Sequence, residues 1–122
     1  MTEPVTIIGS YLSPYVRKVL VFLHQKEIPY RIDPIVPFFG DERFSKLSPV
    51  RRIPVLIDDR VTLCDSSVIC AYIEKAHPKP ALYPSDPYDY ARALWFEEFM
   101  DAGVVAAVGS KVFFPLVLQP LF

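Results

Sequence analysis

Val5-Thr6-Ile7-Ile8-Gly9-Ser10, followed two residues later by Ser13-Pro14 and then by Val16, Val19, Leu20 and Leu23, sets the start of this 122-residue chain. The β-branched, apolar run Val5–Ile8 reads as a buried strand that Gly9-Ser10 brings to an end. Ser13 suits a helix N-cap and Pro14 the first helical position. Apolar residues at i, i+3, i+4 and i+7 from Val16 form the buried stripe of a helix ending near Gln25. Tyr30 to Ile35 then returns to an extended pattern. Strand, helix and strand in about 30 residues make a βαβ unit, with parallel strands and a right-handed crossover.

A short helical stretch is expected around Asp41 to Leu47. Pro54-Val55-Leu56-Ile57 and Val61-Thr62-Leu63-Cys64 flank Asp58-Asp59-Arg60, which predicts two short strands about a tight turn. Asp65-Ser66-Ser67 caps a further helix whose apolar face is Val68, Ile69, Tyr72, Ile73 and Ala76, and His77-Pro78 stops it. The order β-α-β-α-β-β-α implies a mixed sheet with helices packed on it, an α/β fold of thioredoxin-like arrangement. The expected organisation is a domain over residues 1–80, a linker over 81–86, and the beginning of an all-α domain over 87–122. Asp86-Pro87 opens that second domain with a long helix through Tyr90, Leu94, Trp95 and Phe99. The segment beyond Gly103 is too apolar for so few helices to bury, so the chain reads as cut inside its second domain.

Composition narrows the function. Apolar residues make up 52% of the chain and charged residues 22%, a globular balance that excludes a disordered tail. Thirteen Lys and Arg stand against fourteen Asp and Glu, so no basic excess exists to neutralise a phosphate backbone, and nucleic acid is excluded as the main partner. Cys64 and Cys70 lack C-x-x-C spacing, and with only two histidines no metal site is assigned. This cysteine usage suits a reducing, cytoplasmic compartment. Met1-Thr2-Glu3-Pro4 has no basic region ahead of an apolar stretch and does not read as a signal peptide. Val104 to Phe122 is apolar but interrupted by Ser110, Lys111, Pro115 and Pro120, so no membrane span is expected.

Three segments are candidates for chemistry. Ser13, at a helix start, stands beside free N–H groups and the positive end of the helix dipole, an environment that favours an anion, thiolates included. Its simplest role is that of an N-cap, and the simplest reading of Arg17 is a solvated helix residue. In Ser48-Pro49-Val50-Arg51-Arg52-Ile53-Pro54-Val55-Leu56, a cis Ile53–Pro54 bond would leave the Ile53 backbone free for a ligand. Only about 5–6% of X–Pro bonds are cis, so the pattern alone predicts trans. Asp65-Ser66 opens the last helix of the first domain. The Ser66 hydroxyl and N–H can hold a carboxylate and Asp65 an ammonium, although a plain cap explains the pair as well. Phe38, Phe39 and Phe44 read as core or interface residues, and Glu97-Glu98 as a solvated helix face.

In this order, on this frame, the three segments resemble the glutathione transferase superfamily. The resemblance covers Val5 to about Tyr83, then the linker and first helix of the family's helical second domain. Ser13-Pro14-Tyr15-Val16-Arg17 is similar to the Ser-Pro-Phe/Tyr-x-x-Arg pattern of serine-type classes such as tau. Arg52-Ile53-Pro54-Val55-Leu56 is similar to the family's cis-proline segment, and Asp65-Ser66 to its acidic-Ser pair, usually Glu-Ser. The resemblance implies that Ser13 donates to the glutathione sulfur, with Ser10 and Tyr11 as rival donors. It implies that Ile53, ahead of cis Pro54, bonds the cysteinyl backbone. Asp65 and Ser66 would hold the γ-glutamyl end, and Arg52 would meet the glycyl carboxylate. Ser13 in place of the cysteine of omega-like classes argues against a mixed-disulfide reductase. The implied activity is attack of the glutathione thiolate on a small apolar electrophile, with glutathione as co-substrate, no permanently bound cofactor, a detoxification role and a homodimer at full length. The incomplete second domain predicts an inactive fragment. A glutathione-dependent isomerase and a non-catalytic interaction module on the same fold are the alternatives.

Overall fold

The computed structural model describes residues 3–35 and 41–122. Phe38 and Phe39 lie outside the described residues. The chain divides into two compact units, Met1–Leu82 and Tyr83–Phe122.

In the first unit the elements run β1 (Val5–Ile8), α1 (Pro14–Gln25), β2 (Tyr30–Asp33), α2 (Glu42–Leu47), β3 (Val55–Ile57), β4 (Thr62–Cys64) and α3 (Ser66–Ala76). The four strands form one sheet in the order β2-β1-β3-β4. β1 runs parallel to β2, as the crossover through α1 requires, and antiparallel to β3, which pairs antiparallel with β4. This is the mixed, thioredoxin-like α/β arrangement expected from the element order.

Side chains alternate across the sheet and so build two small cores. Ile7 and Leu56 face the side covered by α1 and α3, where Val16, Val19, Leu23 and Ile69 are wholly buried. Ile8 and Val55 face the other side, against the buried ring of Phe44 on α2. Each such side chain contributes roughly 1.5–3 kcal/mol by leaving water. On α3 the expected face is rotated. Val68 and Ala76 are exposed, and the buried stripe is Ser66, Ile69, Cys70 and Ile73, again at i, i+3, i+4 and i+7. The stripe runs through a serine, which hydrophobicity alone does not mark. At the end of β1, a Cβ on Gly9 would come within 2.5 Å of Val16 Cγ2, so the absence of a side chain lets α1 pack directly on the strand end.

A buried ion pair closes the opposite end of the helices. Lys26, with its side chain wholly buried, places Nζ 2.6 Å from Glu74 Oε1 and 2.6 Å from the His77 carbonyl oxygen. The Glu74 carboxylate also accepts from Leu82 N–H at 3.1 and 3.0 Å, which ties the end of the unit to α3.

In the second unit Asp86 caps α4 (Pro87–Glu98) by accepting from Asp89 N–H at 3.0 Å. The helix does not stop at Gly103 or at the prolines. It continues through a π-helical segment (Phe99–Val104), α5 (Val105–Val108), a second π segment (Gly109–Leu118) and a final 3-10 turn (Gln119–Leu121). The expected interruption at Pro115 is therefore corrected. Pro115 lies inside the second π segment, whose wider winding moves the ladder partner one residue further back and relieves the crowding a proline imposes on an α-helix. The resulting helix, Pro87–Leu121, is long and apolar enough by length and composition to cross a membrane, and none of its most apolar window is buried. The core helix of a helical domain whose neighbours cover it meets the same criterion. Glu97 is not merely solvated, since its Oε1 accepts from the Tyr83 hydroxyl at 2.7 Å.

Candidate functional site at one end of the sheet

Strand register brings the three candidate segments together. Ile8, the last residue of β1, pairs with Val55, the first of β3, and Val55 pairs with Cys64, the last of β4. The turn after β1, the loop before β3 and the helix start after β4 therefore emerge at the same end of the sheet. They carry Ser10–Ser13, Arg52–Pro54 and Asp65–Ser66 respectively.

The first loop is a tight turn closed by Ser13 N–H donating to the Ser10 carbonyl at 3.0 Å. Ser13 is the N-cap of α1, and its Oγ accepts from Val16 N–H at 3.3 Å. Ser10 Oγ accepts from Leu12 N–H at 3.2 Å, and Tyr11 is exposed. A hydroxyl has one donor and two acceptor sites, so accepting a cap bond leaves the Ser13 proton free to donate to an anion. The same holds for Ser10, and the geometry does not choose between them.

The second loop leads into a cis Ile53–Pro54 peptide, where the residue pattern alone predicts trans. Pro54 is buried at the start of β3, and the Arg52 side chain is exposed. Arg51 adopts a left-handed φ of 52°, stacks its guanidinium over the Phe44 ring at 5.4 Å and donates to Ser45 Oγ. Ser48, wholly buried, holds the loop from inside: its Oγ accepts from Arg52 N–H at 3.0 Å and donates to the Arg52 carbonyl at 2.8 Å. Sequence reasoning missed Ser48. The Ser-Pro pair signals a turn but not a buried hydroxyl.

At the third segment Asp65 caps α3, its Oδ1 accepting from Ser67 N–H at 2.9 Å and from Val68 N–H at 3.1 Å. Both cap bonds fall on Oδ1, and Oδ2 takes neither. Asp65 has φ 76° and ψ 121°, a region that non-glycine residues enter at a cost of about 1–3 kcal/mol. Strain of that size persists where surrounding structure over-determines it, here a strand end on one side and a doubly bonded cap on the other. Ser66 comes next at the first helical position, 7% exposed, where a backbone N–H has no partner in the helix ladder. Lys18 reaches this helix start from α1, with Nζ 3.2 Å from Ser67 Oγ, whereas Arg17 is exposed. Counted residue by residue, the Ser-Pro-Phe/Tyr-x-x-Arg pattern sets its basic residue at position 18, so Lys18 takes the place that Arg17 was given. Helical periodicity sets both residues off the buried stripe and does not separate them.

Elsewhere the described surface offers less. A shallow depression of about 380 Å³ lined by His24, Glu27, Ile28, Pro29 and Tyr30 lies at the far end of α1 from Ser13. Glu97, Glu98 and Asp101 bring carboxylate oxygens within 4.8 Å of one another, a grouping common on acidic helix surfaces.

The fold and its three loops define a thioredoxin-fold protein with a polar site at one sheet end, followed by a helical unit. Residues 7–81 match the family described as glutathione S-transferase, N-terminal domain, and the chain belongs to the glutathione S-transferase family. It is 33% identical over 117 residues to glutathione S-transferase U13 of Arabidopsis thaliana, an alignment covering 89% of this chain and 52% of the relative. The crystal structure of a tau class glutathione S-transferase from mango, Mangifera indica, superposes with a TM-score of 0.79 at 28% identity, over 91% of this chain and 53% of that one. A glutathione S-transferase from Methylobacterium radiotolerans, solved in complex with glutathione sulfonate, gives 0.82 at 30% identity, over 91% and 52%. The chain thus spans about half the length of the relatives it matches.

Proposed function

We propose that this chain supplies the glutathione-binding half of a glutathione transferase that conjugates glutathione to a small, largely apolar electrophile. The observation that carries this reading is the strand register, which gathers a hydroxyl-bearing turn, the Ile53–Pro54 backbone and the Asp65-Ser66 helix start at one sheet end. The glutathione sulfonate complex of the Methylobacterium radiotolerans relative supports the ligand class.

In this reading the γ-glutamyl carboxylate meets the Ser66 hydroxyl and N–H at the positive end of α3, and Lys18 adds a cation beside it. Asp65 Oδ2 receives the ammonium, while Ile53 pairs with the cysteinyl backbone and Arg52 lies within reach of the glycyl carboxylate. Ser13 donates its hydroxyl proton to the sulfur while accepting from Val16 N–H. A donor aimed at the charged form lowers the thiol pKa from about 8.5. The thiol proton leaves to solvent, the thiolate electron pair forms a C–S bond to the electrophile, and the leaving group departs with its bonding pair. The apolar helix Pro87–Leu121 serves as a core helix of the second domain, covered by further helices rather than by lipid. A homodimer is part of the same proposal.

Calorimetric titration of glutathione into wild type, Asp65→Ala and Ser66→Ala tests the site. Loss of a charge-assisted hydrogen bond costs roughly 1.5–3 kcal/mol, so each variant should bind about ten- to a hundredfold more weakly. Unchanged affinity in both would remove Asp65-Ser66 from the site.

A further inference from the structure

We propose that Ser48 is a positioning residue for glutathione, aiming the Ile53 N–H at the ligand without touching it; the inference rests on the glutathione reading. The Ser48 hydroxyl bonds both backbone groups of one residue, accepting from Arg52 N–H at 3.0 Å and donating to Arg52 C=O at 2.8 Å. Those two groups belong to successive peptide planes, so one oxygen atom fixes the planes on both sides of Arg52. The second plane also contains Ile53 N–H. In a trans peptide the C=O and N–H point in opposite directions within one plane. The Arg52–Ile53 bond is not among the cis bonds, so turning the Arg52 carbonyl inward onto a buried hydroxyl turns Ile53 N–H away from it.

Ser48 is itself held firmly. Its N–H donates to Phe44 C=O at 2.8 Å at the end of α2, and its C=O accepts from Arg51 N–H at 2.8 Å. Leu47, the residue before it, accepts from Cys64 Sγ at 3.2 Å, which joins this corner to the end of β4 beside Asp65. The hydroxyl thus refers the Ile53 peptide to two elements of the core rather than to the loop. The chain between them runs through Pro49, which has no N–H to donate, and the left-handed Arg51.

The test compares two ligands on the same protein preparations: glutathione, and an analogue in which an alkene isostere replaces the cysteinyl–glycine peptide and so offers Ile53 N–H no carbonyl acceptor. Ser48→Ala should weaken glutathione about five- to tenfold, the worth of one hydrogen bond made floppy, and should leave the alkene analogue unchanged. Because both ligands are titrated into one sample, a partly unfolded fraction lowers both stoichiometries and leaves the ratio of affinities intact. If Ser48→Ala yields no folded protein, Ser48→Cys, nearly isosteric and a weaker hydrogen-bonding group, carries the same comparison. Equal weakening of both ligands, or none for glutathione, overturns the positioning role. Failure of wild type to bind glutathione defeats the glutathione reading itself, and this inference with it.

Discussion

Replacing Ser13 separates two functions of one oxygen atom. As the N-cap of α1 it accepts from Val16 N–H at 3.3 Å, and substitution by alanine costs about 1 kcal/mol, a Tm decrease of about 4–8 °C for a unit of this size. Glycine tolerates the N-cap and costs only a few tenths of a kcal/mol. Neither replacement has a proton to donate. A hydrogen bond to a charged acceptor is worth about 1.5–3 kcal/mol, which at 1.36 kcal/mol per pKa unit lowers the bound thiol by about one to two units. From a free value of about 8.5, thiolate at pH 7 then rises from about 3% to somewhere between about 25% and 75%. Ser13→Ala and Ser13→Gly should therefore both cut bound thiolate about tenfold or more, although only the alanine variant loses much stability. Thiolate absorbance of bound glutathione against pH measures the first effect and thermal unfolding the second. If the thiol pKa stays in place in both variants and moves instead in Ser10→Ala or Tyr11→Phe, the sulfur donor is not Ser13.

Glu74→Gln should destabilise the first unit by about 3–5 kcal/mol, because it leaves the wholly buried Lys26 ammonium without its counter-charge. Urea unfolding checks it, and a loss below about 1 kcal/mol would show that the Lys26–Glu74 pair is relaxed by water. Burial pushes the Asp58 carboxyl up, but bonds from the Tyr72 hydroxyl and from Arg60 and Val61 N–H outweigh it and hold the group below its ordinary 3.8. The linked stability is present above the unfolded value and lost as pH falls through the folded one, so Tyr72→Phe should raise the Asp58 pKa and flatten the acid limb. A carboxyl titration by NMR that leaves Asp58 in place in Tyr72→Phe would count against the link. Expressed alone, the 122-residue chain should self-associate through the exposed Trp95, Phe96, Phe99, Leu116, Leu121 and Phe122, and a monodisperse monomer in light scattering would contradict this.

The first unit is legible in the sequence because each of its elements carries its own period. Val5–Ile8 and the stripe from Val16 to Leu23 state strand and helix without help from the rest of the chain, and their order leaves few topologies. The buried face of α3 departs from its apolar pattern because Ser66 belongs to it, and burial of a small polar residue at a helix start depends on what packs there. The prolines at 115 and 120 read as breaks only under α-helical geometry, whereas the helix takes them in turns that are not α. Lys18 and Ser48 stay hidden for a common reason. Each acts on a partner fixed only by the tertiary fold, 49 residues away for Lys18, or acts through a backbone group that has no letter in the sequence.

The capping and functional readings of Ser13 and Asp65 exclude one another only if a side chain has a single bonding site. Ser13 gives a lone pair to Val16 N–H and keeps its proton; Asp65 gives Oδ1 to two N–H groups and Oδ2 to neither. Capping anchors each side chain at one atom and leaves its remaining bonding site out of the cap, and it does so where the helix dipole already favours an anion. Asp65 differs from Ser13 and Asp86, which cap with an extended backbone, in carrying a positive φ that the end of β4 and its two cap bonds hold in place.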